Sequence, residues 1–233
     1  MQRLRHFKLC PFSRSIRLAF AELQVPYELH DEGPKAAVPG ASGLALPGDL
    51  PILELEEGGV VAGAYAITER LDELAQRGAF DPRGLRLFPG SIEDRAEVRR
   101  LVDWFHRRLD REVTQPILSE KVWPRLVSAY TSHGAPRSSA LRAIHAALRQ
   151  HLSYIGYLAD TRRWLAGEAM SFADLAAAAQ LSCLDYLGEV PWDDAPDAKA
   201  WYARVKSRPA FRPLLADRIA AIAPPPHYDD LDF

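Results

Sequence analysis

The sequence has little cysteine and little net charge. Its 233 residues include two cysteines, Cys10 and Cys183, which are too few for a disulfide framework and are typical of a reducing compartment. The 29 Lys and Arg residues nearly balance the 31 Asp and Glu residues, and the net charge of −2 gives no basic field that would attract nucleic acid. We therefore expect no nucleic-acid partner.

Long apolar runs and metal-ligand spacings are also missing. No apolar run reaches the roughly 20 residues that span a bilayer, and residues 1–6 lack the apolar segment of a signal peptide. The seven histidines show neither an HxxxH pattern nor paired Cys/His spacing. The sequence therefore predicts a cytoplasmic protein with no direct membrane insertion and no metal site.

Residues 1–78 alternate strand and helix signals. Helical patterns cover Ser13–Gln24 and Tyr65–Gln76. Strand patterns cover Arg3–Lys8, Pro26–His30 and Pro51–Leu55, with a short fourth strand from Val60. This order, βαβ followed by ββα, predicts a thioredoxin-like domain.

Strand signals vanish after this domain. Residues 79–91 carry two Pro-Gly turn signals and are predicted to be a linker. Residues 92–218 carry apolar positions at spacings of three and four, which predicts a helical bundle domain. Residues 219–233 form a Pro-rich, acidic tail. The fold class is thus α/β plus all-α.

Cys10 stands at the predicted strand-to-helix turn. Helix N-terminal amides favour a thiolate there, and Arg14 and Arg17 would add positive potential, so Cys10 is a candidate nucleophile. Ser13 would cap this helix or stabilise the thiolate. The alternative is that Cys10 is a small residue in a packed turn. Cys183 is predicted to be a core residue.

Ser171 and Asp174 have the spacing of a capping box, with Asp in place of the usual Glu. The helix that follows is apolar nearly all round, which indicates a position in the middle of the bundle. We therefore interpret the two residues as a structural cap and not as a catalytic pair.

The tail is the strongest partner-binding candidate. Three prolines, Pro224–Pro226, favour an extended chain, and acidic residues then surround three apolar side chains. This is the composition of a short linear motif; the alternatives are a frayed end or a tail packed on its own domain. The predicted contact residues are His227, Tyr228, Asp229, Asp230, Leu231, Asp232 and Phe233. Trp123, between Lys121 and Arg125, is predicted to be a partly exposed partner contact.

Over nearly its whole length the chain resembles cytosolic glutathione transferases. The strongest marks are Leu50-Pro51-Ile52 and the Ser171–Asp174 box, and Cys10-Pro11-Phe12-Ser13 resembles the cysteine-type enzymes. The resemblance implies that Pro51 is cis and that its neighbour's backbone pairs with the cysteinyl group of glutathione.

The same resemblance implies that an acidic or amide residue followed by Ser or Thr holds the γ-glutamyl group. Gly63 and Ala64 stand at those positions, and neither side chain forms hydrogen bonds. Each missing charge-assisted contact is worth about 1.5–3 kcal/mol. We therefore expect a vestigial glutathione site, formed by Cys10, Pro51, Gly63 and Ala64, and no cofactor; the alternative is glutathione as cofactor.

A narrower resemblance is to the FzlA family of transferase-like bacterial proteins. It rests on residues 200–215, on residues 112–117 and on the tail at 227–233. It implies a non-catalytic homodimer at the division site that binds FtsZ filaments and links them through its tail to other components, among them the septal wall-synthesis machinery. The alternatives are a cysteine-type transferase or deglutathionylating enzyme that uses Cys10, and a stress-response scaffold.

Overall fold

The computed structural model describes residues 1–33, 50–80, 85–127 and 137–231. Two predicted partner contacts, Asp232 and Phe233, lie outside these ranges, as does part of the predicted linker.

The N-terminal domain is a four-stranded mixed sheet with two helices. Its strands are β1 (Arg3–His6), β2 (Glu28–Asp31), β3 (Ile52–Glu54) and β4 (Val60–Ala62), in the spatial order β2-β1-β3-β4. Strand β1 pairs parallel with β2 and antiparallel with β3, which pairs antiparallel with β4. Helices α1 (Pro11–Glu22) and α2 (Ala64–Gln76) accompany the sheet. The predicted thioredoxin-like fold is confirmed.

In its described residues the C-terminal domain consists of helices and the turns and loops that connect them. A continuous helix comprises α3 (Ile92–Asp103), a π-helical segment (Trp104–Thr114) and α4 (Gln115–Lys121). The other helices are α5 (Trp123–Leu126), α6 (Ser138–Thr161), α7 (Phe172–Tyr186), α8 (Pro196–Lys206) and α9 (Arg212–Leu215). Short 3₁₀ turns lie at Trp192–Asp194, Pro209–Phe211 and Pro226–Asp229. Within the described ranges, no helix combines the length and apolarity needed to cross a membrane.

Helix α7 is the centre of the molecule. Every residue from Phe172 to Tyr186 is buried, as an all-round apolar pattern predicts. It packs against α1, the π-helical segment and α3, and so joins the two domains through one core. The Cys10 end of α1 therefore lies against the helical domain.

The predicted capping box begins α7. The Ser171 hydroxyl accepts the Ala173 N–H at 3.3 Å, and Asp174 Oδ2 accepts the Ser171 N–H at 3.0 Å. Asp174 Oδ1 also accepts the Leu165 N–H at 3.0 Å and the Trp201 indole N–H at 3.1 Å. The box therefore ties the start of α7 to the preceding loop and to α8.

Candidate functional site

Four predicted site residues meet at one corner of the N-terminal domain. Cys10 is the N-cap of α1, and its thiol lies 3.6 Å from the Leu50 carbonyl oxygen. The following Leu50–Pro51 bond is cis, as the resemblance implied. The Pro51 carbonyl accepts the Gly63 N–H at 2.9 Å, and Ala64 begins α2. We name Cys10, Pro51, Gly63 and Ala64 the Cys10 corner.

The Cys10 thiol does not have the electrostatics of a nucleophile. It is 9% exposed, and burial raises its pKa to about 11, although Ser13, whose N–H donates to the sulfur at 3.4 Å, works in the opposite direction. Cys10 itself, and not Ser13, caps α1, because its sulfur accepts that N–H. The prediction that Ser13 caps this helix is wrong.

The two arginines that the sequence suggested as activators are engaged elsewhere. Arg17 donates to both carboxylate oxygens of Asp217, at 2.6 and 3.0 Å. Arg14 is fully buried and donates to the Lys8 carbonyl oxygen, to Ser182 and to Tyr228. Among their described hydrogen bonds, neither guanidinium has Cys10 as a partner. A buried, neutral thiol is therefore the resting state of this corner.

Helix α2 begins without any side-chain contribution. Its N-cap Gly63 has φ of +84° and makes no side-chain hydrogen bond. No acidic residue lies in the first turn. At this helix start, as far as the structure describes the chain, backbone amides are the groups that could hold the γ-glutamyl carboxylate implied by the resemblance.

Three polar side chains lie next to the Cys10 corner: Ser13, which the sequence analysis named, and His106 and Asp110, which it missed. The imidazole of His106 packs edge-on to Phe12, with ring centroids 4.9 Å apart, and its nitrogens have no hydrogen-bond partner among the described residues. The same holds for the Ser13 hydroxyl. We name Ser13, His106 and Asp110 the polar floor. The signal for the two missed residues, His106 and Asp110, was their place within the apolar helical stripe of residues 98–113.

Burial dominates the ionisation of the polar floor. It lowers the pKa of His106 to about 3, so the imidazole is neutral at physiological pH. It raises the pKa of Asp110 to about 6, against hydrogen bonds from Gln180 at 3.3 Å and Gln115 at 3.4 Å. Within the described part of the chain, no group of three or more His, Cys, Asp and Glu side chains could hold a metal ion.

The tail packs on its own domain as far as residue 228. Tyr228 is 0% exposed: its hydroxyl accepts from Arg14 at 3.1 Å and donates to the Leu214 carbonyl at 3.1 Å. The prediction of Tyr228 as an anchor for a partner's pocket is therefore wrong, because the buried Arg14 uses the phenol as an acceptor. The alternative of a tail packed on its own domain is confirmed for this residue.

The neighbours of Tyr228 are more accessible. The His227 imidazole Nε2 lies 3.2 Å from Asp185 Oδ1 and is half-buried. Asp229, Asp230 and Leu231 are exposed. These three residues are the part of the predicted contact set that the structure places at the surface.

Trp123 was predicted to be partly exposed, and this is wrong. It is 2% exposed and its ring centroid lies 5.8 Å from that of Phe7. The indole extends from the start of α5 into a buried cluster that includes Phe7 and Tyr186, because a large apolar side chain gains more from burial than the flanking Lys121 and Arg125 can offset. Trp123 is therefore a packing residue.

Comparisons with known proteins agree with this architecture. The glutathione S-transferase N-terminal domain family matches residues 9–74, and the glutathione S-transferase C-terminal domain family matches residues 114–209. FtsZ-localized protein A of Caulobacter vibrioides is 44% identical over 233 residues, which cover 99% of this chain and 97% of that protein.

Two solved structures are similar over the full length. A glutathione S-transferase from Rhodospirillum rubrum F11 has a TM-score of 0.88 and 45% identity, with 100% of both chains covered. FzlA from C. crescentus has a TM-score of 0.84 and 41% identity, with 100% of this chain and 99% of that chain covered.

Proposed function

Because this chain belongs to the glutathione S-transferase superfamily and to the family of FtsZ-localized protein A, we propose that it is a non-catalytic FtsZ-binding protein of bacterial cell division. The observation that carries the proposal is the 44% identity to FtsZ-localized protein A, which extends over 99% of this chain. The matched length includes both domains and the tail. The proposed place of action is the cytoplasmic side of the division site.

The chemistry of the Cys10 corner supports a binding role. A thiol whose pKa is raised to about 11 is almost entirely protonated at neutral pH, and the thiolate is the reactive form. The start of α2 offers no side-chain acceptor for the amine of the γ-glutamyl group. Both steps of cysteine-type transferase chemistry, glutathione capture and thiolate attack, thus lack the groups that favour them.

In this proposal the protein acts as a homodimer with two equivalent FtsZ-binding surfaces. Two linked sites on one polymer raise avidity by about 10²–10⁴ without new contacts. The exposed tail residues Asp229, Asp230 and Leu231 are the proposed contacts with FtsZ or with the septal wall-synthesis machinery. Tyr228 holds this end of the tail in place and does not itself meet the partner.

Co-sedimentation with GTP-assembled FtsZ tests the proposal. We expect the full chain to pellet with filaments and to remain soluble without GTP. The matched variant is Asp230→Asn with Leu231→Ala, which changes exposed positions and leaves Tyr228 intact. Loss of pelleting in this variant assigns the tail to FtsZ, and unchanged pelleting assigns it to another division component. A full chain that stays in the supernatant at both low and moderate salt overturns the proposal.

A second candidate function is glutathione transfer with Cys10 as nucleophile. It is favoured by one observation: the 45% identical structure from R. rubrum carries the name glutathione S-transferase. This candidate predicts retention on glutathione resin, a mixed disulfide at Cys10 with oxidised glutathione, and loss of activity in Cys10→Ala. Calorimetric titration with glutathione separates the two functions, since the FtsZ-binding proposal expects no binding at millimolar concentration.

A further inference from the structure

The buried contact between Tyr228 and Arg14 joins the C-terminal tail to the first turn of α1, the helix that Cys10 caps. Arg14 lies one turn after Cys10, and its backbone N–H donates to the Cys10 carbonyl at 3.0 Å. The two side chains are separated by 214 residues in sequence but by 3.1 Å in space. Both are fully buried.

The charged guanidinium of Arg14 is buried and has few hydrogen-bond acceptors around it. Its Nη2 makes no hydrogen bond among the described residues, and the carboxylate of Asp217 lies 3.9 Å away and is occupied by Arg17. The remaining acceptors are the Lys8 carbonyl at 2.6 Å, Ser182 at 2.9 Å and Tyr228 at 3.1 Å. Removal of one acceptor from such a charge is costly, because the buried guanidinium then keeps its desolvation cost without the compensating hydrogen bond.

The same guanidinium fixes the loop that leads into Cys10. It donates to the carbonyl of Lys8, two residues before the cysteine, while the Cys183 thiol lies 3.4 Å from the carbonyl of Leu9. The Lys8 ammonium in turn reaches the Arg218 carbonyl at 3.4 Å. The covering of Cys10 therefore depends on groups of the helical domain and, through Arg14, on Tyr228.

The tail segment is docked by several further contacts. The Lys206 ammonium donates to the His227 carbonyl at 3.3 Å, and the His227 ring lies 3.2 Å from Asp185. The rings of Tyr228 and Tyr186 meet at 5.1 Å, nearly perpendicular. These contacts hold the segment around Tyr228, its one fully buried side chain among residues 226–229.

We propose that residues 226–229 act as a latch on the loop at residues 7–10, which we name the Cys10 loop. Docking of Tyr228 on Arg14 keeps this loop in place, and release of the segment exposes Cys10. The coupling is reciprocal, since whatever opens the Cys10 loop must weaken tail docking by the same factor. The inference rests on these contacts and not on FtsZ binding. It links the exposed end of the tail to the Cys10 corner at the opposite end of the sequence.

Site-resolved thiol labelling of the folded full chain tests the latch. Iodoacetamide is applied at fixed pH, and Cys10 and Cys183 peptides are quantified by mass spectrometry. Tyr228→Phe keeps the ring but removes the hydroxyl, and we expect it to accelerate Cys10 labelling by about tenfold, which corresponds to about 1.4 kcal/mol. The matched tail control, Leu231→Ala, is expected to label at the parental rate.

A second control separates the latch from a general loss of stability. Ile155→Val loosens the core of α6, where hydrogen exchange reports global opening. The latch predicts that Tyr228→Phe accelerates Cys10 labelling without faster exchange in α6. The proposal is overturned if Cys10 labelling is unchanged, or if it rises only in step with α6 exchange, as in Ile155→Val.

A double-variant cycle locates the coupling in the named pair. Arg14→Met and Tyr228→Phe each remove the contact, so the double variant should label no faster than the faster single variant. Rates that multiply would show that the two side chains act independently, and this outcome also rejects the latch.

Discussion

Helix α2 begins at Gly63 with no side-chain cap, whereas helix α7 begins in the capping box of Ser171 and Asp174. Four donors converge on the buried Asp174, while among the described residues the nearby polar floor of the Cys10 corner leaves Ser13 and His106 without partners. The structure therefore satisfies the polar groups at the start of α7. It leaves unpaired polar groups beside the corner that the family resemblance would assign to glutathione.

This difference separates the two roles that one superfamily fold can carry. The box at α7 serves the fold itself, because a buried helix start must satisfy its own amides. The start of α2 needs side chains only when a ligand is bound there. This chain has the first and lacks the second, which is the combination that the proposed binding role requires.

The largest expected change in stability is at the start of α7, where the polar groups are satisfied. Asp174→Ala leaves the Leu165 and Ser171 amides and the Trp201 indole without their acceptor, all in the core. We expect a loss of about 4 kcal/mol or more in the free energy of unfolding, measured by urea denaturation. Asp174→Asn, which keeps an acceptor, should lose less. Equal losses in the two variants would mean that the acceptor is not what matters.

The second effect compares two residues within the tail. Tyr228→Ala removes a fully buried ring and an acceptor of Arg14, and we expect it to cost about 3 kcal/mol. Leu231→Ala, three residues further on and exposed, should change stability by less than about 0.5 kcal/mol. Thermal unfolding followed by circular dichroism checks both. Similar melting temperatures for the two variants would show that the segment does not belong to the folded domain.

The features that the sequence predicts well are those with local causes. The order of strands and helices follows from hydrophobic periodicity, the α7 cap from the spacing of Ser171 and Asp174, and the bare start of α2 from Gly63 and Ala64. Each depends on neighbours within a few residues. The family marks could be located for the same reason.

The features that the sequence does not predict depend on distant partners. Tyr228 is buried because Arg14, 214 residues away, needs an acceptor. Trp123 is buried because Phe7 and the first domain cover it. The local helix N-terminus favours a thiolate at Cys10, but the packing around it imposes desolvation that acts in the opposite direction and is larger.

The third prediction concerns the polar floor and pH. Burial raises the pKa of Asp110 from 3.8 to about 6, so the folded chain retains this proton to higher pH than the unfolded chain. The resulting stability is present below about pH 4 and is lost as the pH rises through about 6. Asp110→Asn, which stays neutral, should match the parent at pH 4 and be more stable by about 2 kcal/mol at pH 7.5.

Urea denaturation at both pH values measures this difference. Two buried histidines change stability with pH in the opposite direction to Asp110. Because the pKa values of His6 and His106 are lowered in the folded chain, their contribution to stability is present above about pH 6.5 and is lost at lower pH. They are common to both proteins and cancel in the comparison. A stability difference that does not change with pH would contradict the assignment of a buried, late-ionising carboxyl to Asp110.

The smallest change in stability is expected at the start of α2, where the missing side chains can be introduced by substitution. Gly63→Glu with Ala64→Ser restores the side chains that the transferase resemblance implies, at about 1 kcal/mol of backbone strain from the φ of +84°. Two charge-assisted contacts should tighten glutathione binding about 10²-fold, measured by calorimetry. Ala64→Ser alone, which introduces no strain, is the control. If the parent chain already binds glutathione as tightly as the double variant, backbone amides suffice at this position, and the contrast between the two helix starts carries no information about ligand binding.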